Sequence, residues 1–234
     1  MADAEGQPVQ KIYCLPGYER HEAWLRSLGD SVSLIQGVVP ETGVTEPALV
    51  ADDRGLALVS PALPTWFRIP SRRLQPRPDL LKACGHPRDL RILDACAGFG
   101  TDAVALAEHN DVTCVEVKPT VWLLLGDFLH RHTALNAPRC GDAREVMQNE
   151  RWDLIYLDPM FPARRKKALP NISAQVLRLL TEEQRADDAG LLRCALDTGT
   201  RRVVLKRRLK DPVLLSPSSQ VRGRTVRFDV YVRF

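Results

Sequence analysis

The chain has 234 residues, of which 44% are hydrophobic and 26% are charged, and its formal net charge is +4. This composition allows a substantial buried core, and no apolar run reaches the roughly 20 residues that cross a bilayer. The length fits one α/β domain with a small appendage. The six cysteines form no C-x-x-C pair, so neither a zinc site nor a disulfide framework is predicted. The acidic N-terminus lacks the apolar core of a signal peptide, and we expect a cytoplasmic protein.

The first part of the chain predicts little regular structure. Prolines at positions 61, 64 and 70 interrupt the local patterns. We interpret residues 1–70 as a small N-terminal subdomain with no recognisable motif. The elements predicted up to Gly85 are a helix over residues 18–28, strands over residues 33–39 and 56–60, and a helix over residues 74–84.

From residue 91 onward, short apolar runs alternate with helical patterns. Continuous apolar strands between helices are typical of a parallel sheet covered on both faces, so residues 71–234 are predicted to form a Rossmann-like α/β domain. The last run, residues 225–234, alternates with period two and predicts an antiparallel edge. Thr101 could cap the first helix, and Pro119 could begin the second. The predicted strands are residues 91–95, 112–117, 152–157 and 202–205, and the predicted helices are residues 101–109 and 121–132.

Two glycines lie where the first of these strands turns into a helix. Gly98 and Gly100 would let the backbone approach a ligand beyond the carboxyl end of the strand. Glu116 ends the next strand, where a carboxylate can accept hydrogen bonds from both hydroxyls of a ribose. Nicotinamide cofactors and methyl donors both use this arrangement. Asp94, just before the loop, favours a methyl donor, because it could help to hold the loop or the ammonium group of S-adenosylmethionine. A structural turn with a loop-capping acid is the alternative.

A third acid follows a further predicted strand. Asp142, within the segment Gly141-Asp142-Ala143-Arg144, could accept a hydrogen bond from an adenine amine. A surface turn explains the same residue almost as well.

The segment Asp158-Pro159-Met160-Phe161 follows the apolar run of residues 152–157. The lone pair of an exocyclic base amine is delocalised into the ring, and hydrogen-bond acceptors make the nitrogen more pyramidal. Asp158 and the carbonyl of Pro159 are suitable acceptors, and Phe161 could stack on the base. The segment therefore predicts methyl transfer to a planar amine. The alternative is a proline-bounded loop with Phe161 in the core.

Basic residues are concentrated in the C-terminal half and could border one phosphate-binding surface. A solvated charged face is the alternative for any one cluster. Lys206 could contact the RNA backbone or the base region, or merely cap a strand end. The paired arginines at positions 72 and 73 could bind a phosphate or form surface ion pairs. The residues predicted to bind RNA are Arg72, Arg73, Arg164, Arg165, Lys166, Lys167, Lys206 and Arg207. A further basic cluster near the C-terminus contains Arg222, Arg224 and Arg227.

Over residues 71–234 the sequence resembles the RsmJ family of 16S ribosomal RNA guanine-N2 methyltransferases. The resemblance includes Asp94-Ala95-Cys96-Ala97-Gly98-Phe99-Gly100-Thr101-Asp102, Tyr156-Leu157-Asp158-Pro159-Met160-Phe161-Pro162 and Arg227-Phe228-Asp229-Val230-Tyr231. The family usually has arginine where Thr101 and Val117 stand. The resemblance implies a class I S-adenosylmethionine methyltransferase fold and contacts to the methyl donor by Thr101, Asp102, Glu116, Val117, Ala143, Arg144 and Asp158.

The resulting hypothesis is transfer of a methyl group from S-adenosylmethionine to the N2 amine of a guanine in small-subunit ribosomal RNA, free or within the 30S particle. No metal and no covalent enzyme intermediate are expected. One alternative is methylation of an amine in another RNA, in DNA or in a protein. Another is an RNA-binding module that keeps the fold without turnover.

Overall fold

The computed structural model describes residues 9–36, 46–70, 77–133, 135–160, 171–181 and 187–233. These residues form a four-stranded sheet near the N-terminus and a seven-stranded sheet with helices on both faces. No helix in these ranges is long and apolar enough to cross a membrane.

The N-terminal part, for which little regular structure was predicted, forms the four-stranded sheet. The helix predicted over residues 18–28 is confirmed as a 3-10 turn that continues into a short α-helix. The prediction missed two strands of five residues each, because runs this short carry too little periodicity to be recognised as strands. The elements are β1 (Gln10–Cys14), α1 (Glu22–Ser27), β2 (Val32–Gln36), β3 (Ala48–Asp52) and β4 (Gly55–Val59), and the strand order is β2-β1-β3-β4.

The larger sheet confirms the predicted Rossmann-like architecture. Five of its strands are parallel to one another. The last strand of the chain is antiparallel to its neighbour among these five, and the strand before it is antiparallel to that last strand. Its strands are β5 (Arg91–Asp94), β6 (Asp111–Glu116), β7 (Arg139–Cys140), β8 (Leu154–Leu157), β9 (Arg202–Arg208), β10 (Ser219–Arg222) and β11 (Val226–Val232), in the order β10-β11-β9-β8-β5-β6-β7. Its helices are α2 (Pro78–Ala83), α3 (Thr101–Leu106), α4 (Pro119–His132), α5 (Ala143–Asn149), α6 (Ile172–Thr181) and α7 (Asp188–Asp197).

The antiparallel edge is a two-stranded hairpin. The predicted final run, β11, pairs with β9, and the edge position belongs to β10, which the sequence did not predict. The hairpin explains the Arg227-Phe228-Asp229-Val230-Tyr231 segment. Arg227 and Asp229 are buried and paired, and the guanidinium also donates hydrogen bonds to backbone carbonyls of the segment after β9. Arg227 therefore supports the fold and is not available at the surface for a phosphate.

The strand order places a crevice at the centre of the larger sheet. The chain runs outward from β5 to β6 and β7, and then returns to β8 on the other side of β5. In open α/β sheets, ligands bind beyond the carboxyl ends of the strands at such a reversal. Asp94 ends β5 and Asp158 follows β8, so the reversal brings these two acids together.

The two sheets share one hydrophobic core. A single buried cluster contains Ile12 and Leu58 of the N-terminal sheet as well as Ile92 of the larger one. The rings of Phe67 and Phe99 lie 5.2 Å apart at their centroids. The predicted division between residues 1–70 and 71–234 stays a prediction, because a shared core does not show whether the two parts fold separately.

Candidate active site

A cavity of about 550 Å³ opens at the carboxyl ends of β5, β6, β8 and β9. Segments that are far apart in the sequence contribute its walls, and α6 and the start of α7 border it as well. Of the predicted methyl-donor residues, the cavity is lined by Asp94, Gly98, Thr101, Asp102, Glu116, Val117, Asp142, Ala143, Arg144 and Asp158, whereas Gly100 does not line it.

The loop between β5 and α3 depends on two glycines in the left-handed region. Gly98 has φ 52°, and its N–H donates a hydrogen bond to Glu116 Oε2 at 3.1 Å. Gly100 has φ 72°, and a Cβ there would lie 2.7 Å from Leu125 Cδ1. Gly100, not Thr101, is the N-cap of α3, and Thr101 is the first helical residue. Gly98 thus shapes the cavity wall, and Gly100 lets the loop pack against α4.

Glu116 is held by the backbone of two loops. Besides the bond from Gly98, its Oε1 accepts a hydrogen bond from the Lys118 N–H at 2.9 Å. The side chain is buried, and burial raises its pKa, although the backbone N–H donors oppose this shift. Each carboxylate oxygen has two acceptor positions, so both can still accept a further hydrogen bond. The geometry is suitable for holding a pair of ribose hydroxyls.

The loop after β7 brings a third acid to the cavity. Asp142 is the N-cap of α5, and its Oδ1 accepts a hydrogen bond from the Arg144 N–H at 2.9 Å. The Arg144 guanidinium pairs with Asp142 and reaches Asp187 at 3.5 Å. The hydrogen bond of the N-cap uses part of the acceptor capacity of Asp142. The side chain of Asp142 is half-exposed, and its Oδ2 pairs with Arg144. Val117 presents an exposed apolar side chain close to this loop on the same wall.

A buried ionic network forms the other end of the cavity. Lys206 Nζ lies 2.7 Å from Asp102 Oδ2 and 2.7 Å from Asp158 Oδ2. The Tyr156 hydroxyl donates a hydrogen bond to Asp102 Oδ2 at 2.7 Å. Arg77 Nε lies 3.4 Å from Asp102 Oδ1. Asp94, almost fully buried, is near enough to repel both of the other carboxylates electrostatically.

The network shifts the pKa of each acid differently. Burial raises the pKa of Asp158 to about 6, with Lys206 opposing the shift and Asp102 adding to it. Burial and the two neighbouring carboxylates raise the pKa of Asp94 well above its usual value. Burial also opposes ionisation of Asp102, but Lys206, Tyr156 and Arg77 together lower its pKa. Burial would lower the pKa of Lys206, but its two carboxylate partners raise it. A carboxyl group with a pKa near neutrality in a cavity is typical of a functional site.

Two residues that were predicted to bind RNA are placed elsewhere. Lys206 points into the cavity network, and Arg207 is buried with its Nη1 2.6 Å from Asp188 Oδ2. Successive residues of a strand face opposite sides of the sheet, so each of these two cations enters a different layer. Neither is placed to bind a phosphate at the surface.

Other predicted residues fall outside the described ranges. Pro159 does lie within the described ranges and lines the cavity, and the role of its carbonyl as an acceptor stays a prediction. The stacking role of Phe161 stays a prediction, as does phosphate binding by Arg72, Arg73, Arg164, Arg165, Lys166 and Lys167.

The sequence analysis missed two members of the network. Tyr156 was interpreted only as part of an apolar strand, although a buried tyrosine hydroxyl usually has a hydrogen-bond partner, and this was an available signal. Arg77 lies between two prolines in a segment without a motif, and nothing local indicates its contact with Asp102.

Comparisons with known proteins identify the family and the fold of the chain. A family described as "Putative SAM-dependent methyltransferase" matches residues 71–233. A ribosomal RNA small subunit methyltransferase J from Rhodopseudomonas palustris (strain TIE-1) is 42% identical over an alignment of 176 residues, and the match covers 66% of this chain and 83% of that protein. A protein of the same name from Legionella pneumophila (strain Corby) is 32% identical over an alignment of 231 residues, and the match covers 92% of this chain and 95% of that protein.

A solved structure supports the fold over nearly the whole length. The crystal structure of a SAM-dependent methyltransferase from Neisseria gonorrhoeae has a TM-score of 0.67 and 25% sequence identity, and the match covers 95% of this chain and 96% of that one. The predicted class I methyltransferase fold, with S-adenosylmethionine as the cofactor, is therefore confirmed. The chain belongs to the ribosomal RNA small subunit methyltransferase J family of S-adenosylmethionine-dependent methyltransferases.

Proposed function

We propose that the protein transfers a methyl group from S-adenosylmethionine to the N2 amine of a guanine in small-subunit ribosomal RNA. The observation that carries the proposal is that Asp158 and Pro159 line the same cavity as Glu116. A group suited to a target amine and a group suited to a ribose thus share one enclosed space. The names of the two relatives support small-subunit ribosomal RNA, free or in the 30S particle, as the partner.

The cavity fits S-adenosylmethionine. Glu116 keeps acceptor positions for the ribose hydroxyls. We assign Asp142 and Val117, which line the same cavity, as the polar and the apolar neighbour of the adenine, and the cavity wall at Gly98 has no side chain. A Cβ at Gly98 would meet only the Leu177 side chain, at 3.6 Å. When bound, the cofactor supplies a methyl group on a positively charged sulfur, which an amine nitrogen can attack in line.

Asp158 receives the target amine in this proposal. Its Oδ2 already accepts a hydrogen bond from Lys206, whereas Oδ1 keeps both of its acceptor positions, so we assign Oδ1 to the amine and the Pro159 carbonyl to the other N–H. These two bonds orient the nitrogen and draw its lone pair out of the ring. The nitrogen must lose a proton as the new bond to carbon forms, and Oδ1 of Asp158 accepts it. A pKa of about 6 suits a general base at neutral pH.

The test compares Asp158→Asn with the parent in single-turnover methyl transfer to small-subunit RNA at saturating S-adenosylmethionine. The variant keeps the shape of the side chain but replaces a charged acceptor with a neutral amide. We expect the rate to fall by roughly two to four orders of magnitude, because the base is lost and the hydrogen bond to a charged acceptor becomes a weaker one to a neutral oxygen. Asp111→Asn is the matched control, since Asp111 is exposed at the opposite end of β6 and should leave the rate unchanged.

The product identifies the target. Digested RNA from the parent reaction should contain N2-methylguanosine by mass spectrometry, and the same nucleoside should be missing from RNA of cells that lack the protein. Methylation at another base or in a protein would replace guanine N2 as the target. A parent protein that binds both S-adenosylmethionine and RNA but never transfers the methyl group would favour a binding module without turnover.

A further inference from the structure

Lys206 lies inside the site, in a place where an ammonium group is costly. The side chain is only 16% exposed, and its Nζ is bound by Asp102 from α3 and by Asp158 from the loop after β8. The energetic cost of burying a charge is repaid only when the charge is closely paired. Both ion pairs join residues far apart in sequence, 104 and 48 positions away. The tertiary fold therefore creates the paired position of this lysine between two acids.

The two acids could not both be ionised in this position without a cation. Like charges that share a buried site raise the pKa of one partner strongly, because the second ionisation is opposed by the first. Lys206 contacts both carboxylates at 2.7 Å, whereas Arg77 reaches only Asp102, at 3.4 Å. Among the described residues, Lys206 is thus the cation in direct contact with Asp158.

We propose that Lys206 is a positioning residue for methyl transfer, which holds Asp158 in its ionised form and, by binding Oδ2, leaves Oδ1 for the target amine. This inference rests on the role of Asp158 in the proposed function. It gives Lys206 a part in the reaction in place of the RNA contact that its sequence neighbours suggested.

The surroundings of Asp158 make the idea testable, because its neighbours act in opposite directions. Lys206 and Arg77 favour the carboxylate, and Asp102 disfavours it. Asp94, Tyr156 and Cys96 also face Asp158, and its negative charge opposes their own ionisation. Removing the positive charge and removing the nearest negative charge should therefore move the ionisation of Asp158 in opposite directions.

The experiment measures the pH dependence of single-turnover methyl transfer for Lys206→Gln and Asp102→Asn, with saturating S-adenosylmethionine. For Lys206→Gln we expect the midpoint of the rise to move upward by roughly one to three pH units, the range for loss of an adjacent opposite charge. An upward move of two units would lower the rate at pH 7 by roughly tenfold, with recovery toward pH 9. For Asp102→Asn we expect the midpoint to move downward. Lys206→Arg keeps the charge, and its midpoint should stay close to that of the parent.

Lys82→Gln is the matched control, because Lys82 is an exposed lysine on α2 and its loss should not move the midpoint. A damaged fold would lower the rate at every pH and could not move two midpoints in opposite directions. If Lys206→Gln does not fold, Asp102→Asn and Lys206→Arg still test the proposal. An unmoved or upward-moved midpoint in Asp102→Asn would overturn it.

A direct titration separates this inference from the function on which it rests. The carboxyl carbon of Asp158 can be followed by NMR in protein labelled with ¹³C-aspartate, its signal being identified by its absence in Asp158→Asn. We expect the same opposite shifts in the absence of RNA. Unshifted titration beside an inactive Asp158→Asn would overturn the role of Lys206 and leave the function standing. Shifted titration beside a fully active Asp158→Asn would overturn the role of Asp158 in methyl transfer, and with it the catalytic relevance of Lys206, whereas the product analysis tests the function itself.

Discussion

Asp158 links the charge state of a single side chain to the rate of the proposed reaction. Only the ionised form can accept a proton from the target amine, and burial raises the pKa of this group to about 6. Below that pH the protonated fraction increases, so we expect the single-turnover rate of the parent to fall by about tenfold per pH unit and to level off above it. The measurement is a pH–rate profile at saturating S-adenosylmethionine. The residual rate of Asp158→Asn should show no such rise, and a rise that persists in this variant would assign the titration to another group.

Glu116 is the residue on which binding of the methyl donor should depend most. We expect Glu116→Ala to weaken binding of S-adenosylmethionine by about 1–3 kcal/mol, because a charged acceptor for the ribose is lost. Isothermal titration calorimetry provides the measurement, and Glu108→Ala is the control because that side chain is 72% exposed. Unchanged affinity in Glu116→Ala would remove this residue from the site. The variant should also lower the free energy of unfolding, since the N–H groups of Gly98 and Lys118 lose their acceptor.

At the scale of elements, the loop between β5 and α3 separates two uses of glycine. We expect Gly98→Ala to lower the free energy of unfolding by about 1–2 kcal/mol, the cost of a left-handed conformation for a residue with a side chain. Gly100→Ala should cost roughly 1–3 kcal/mol more, because the added Cβ would lie 2.7 Å from buried Leu125. Urea unfolding of both variants gives the comparison.

Binding should show the opposite order. Gly98 lines the cavity and Gly100 does not, so Gly98→Ala should weaken binding of S-adenosylmethionine more than Gly100→Ala at a temperature where both variants are folded. Equal losses of affinity in the two variants would mean that the loop acts through its overall conformation and not through the open wall at Gly98.

The elements of the larger sheet differ in whether local sequence patterns could predict them. The helix α4 and the strands of the larger sheet other than β10 were predicted because periodicity and apolar runs are local properties. The edge strand β10 and the helices α6 and α7 were not predicted, although α6 and the start of α7 border the cavity. The apolar residues of these three elements can be assigned to a buried face only when the parts of the fold against which they pack are known.

At the scale of the whole molecule, the N-terminal sheet and the larger sheet share one core. We expect Phe67→Ala to lower the free energy of unfolding by about 3–5 kcal/mol, because a buried aromatic ring in contact with Phe99 is lost. Unfolding in urea, followed by tryptophan fluorescence and far-ultraviolet circular dichroism, should remain a single coincident transition that moves to lower urea. Two separate transitions, of which Phe67→Ala moves only the first, would show that residues 1–70 fold as an independent domain.

The sequence by itself determined the alternation of strands and helices and the acids at the strand ends, Asp94, Glu116 and Asp158. These follow from residue type, spacing and the general position of ligands in α/β sheets, all of which can be recognised locally. The tertiary structure alone decided what the basic run after residue 205 does. The alternation of strand β9 sends Lys206 to Asp102 and Asp158 on one side of the sheet and Arg207 to Asp188 on the other. No local pattern shows this, because the partners come from distant parts of the chain and burial, which only the complete fold creates, makes their pairing necessary.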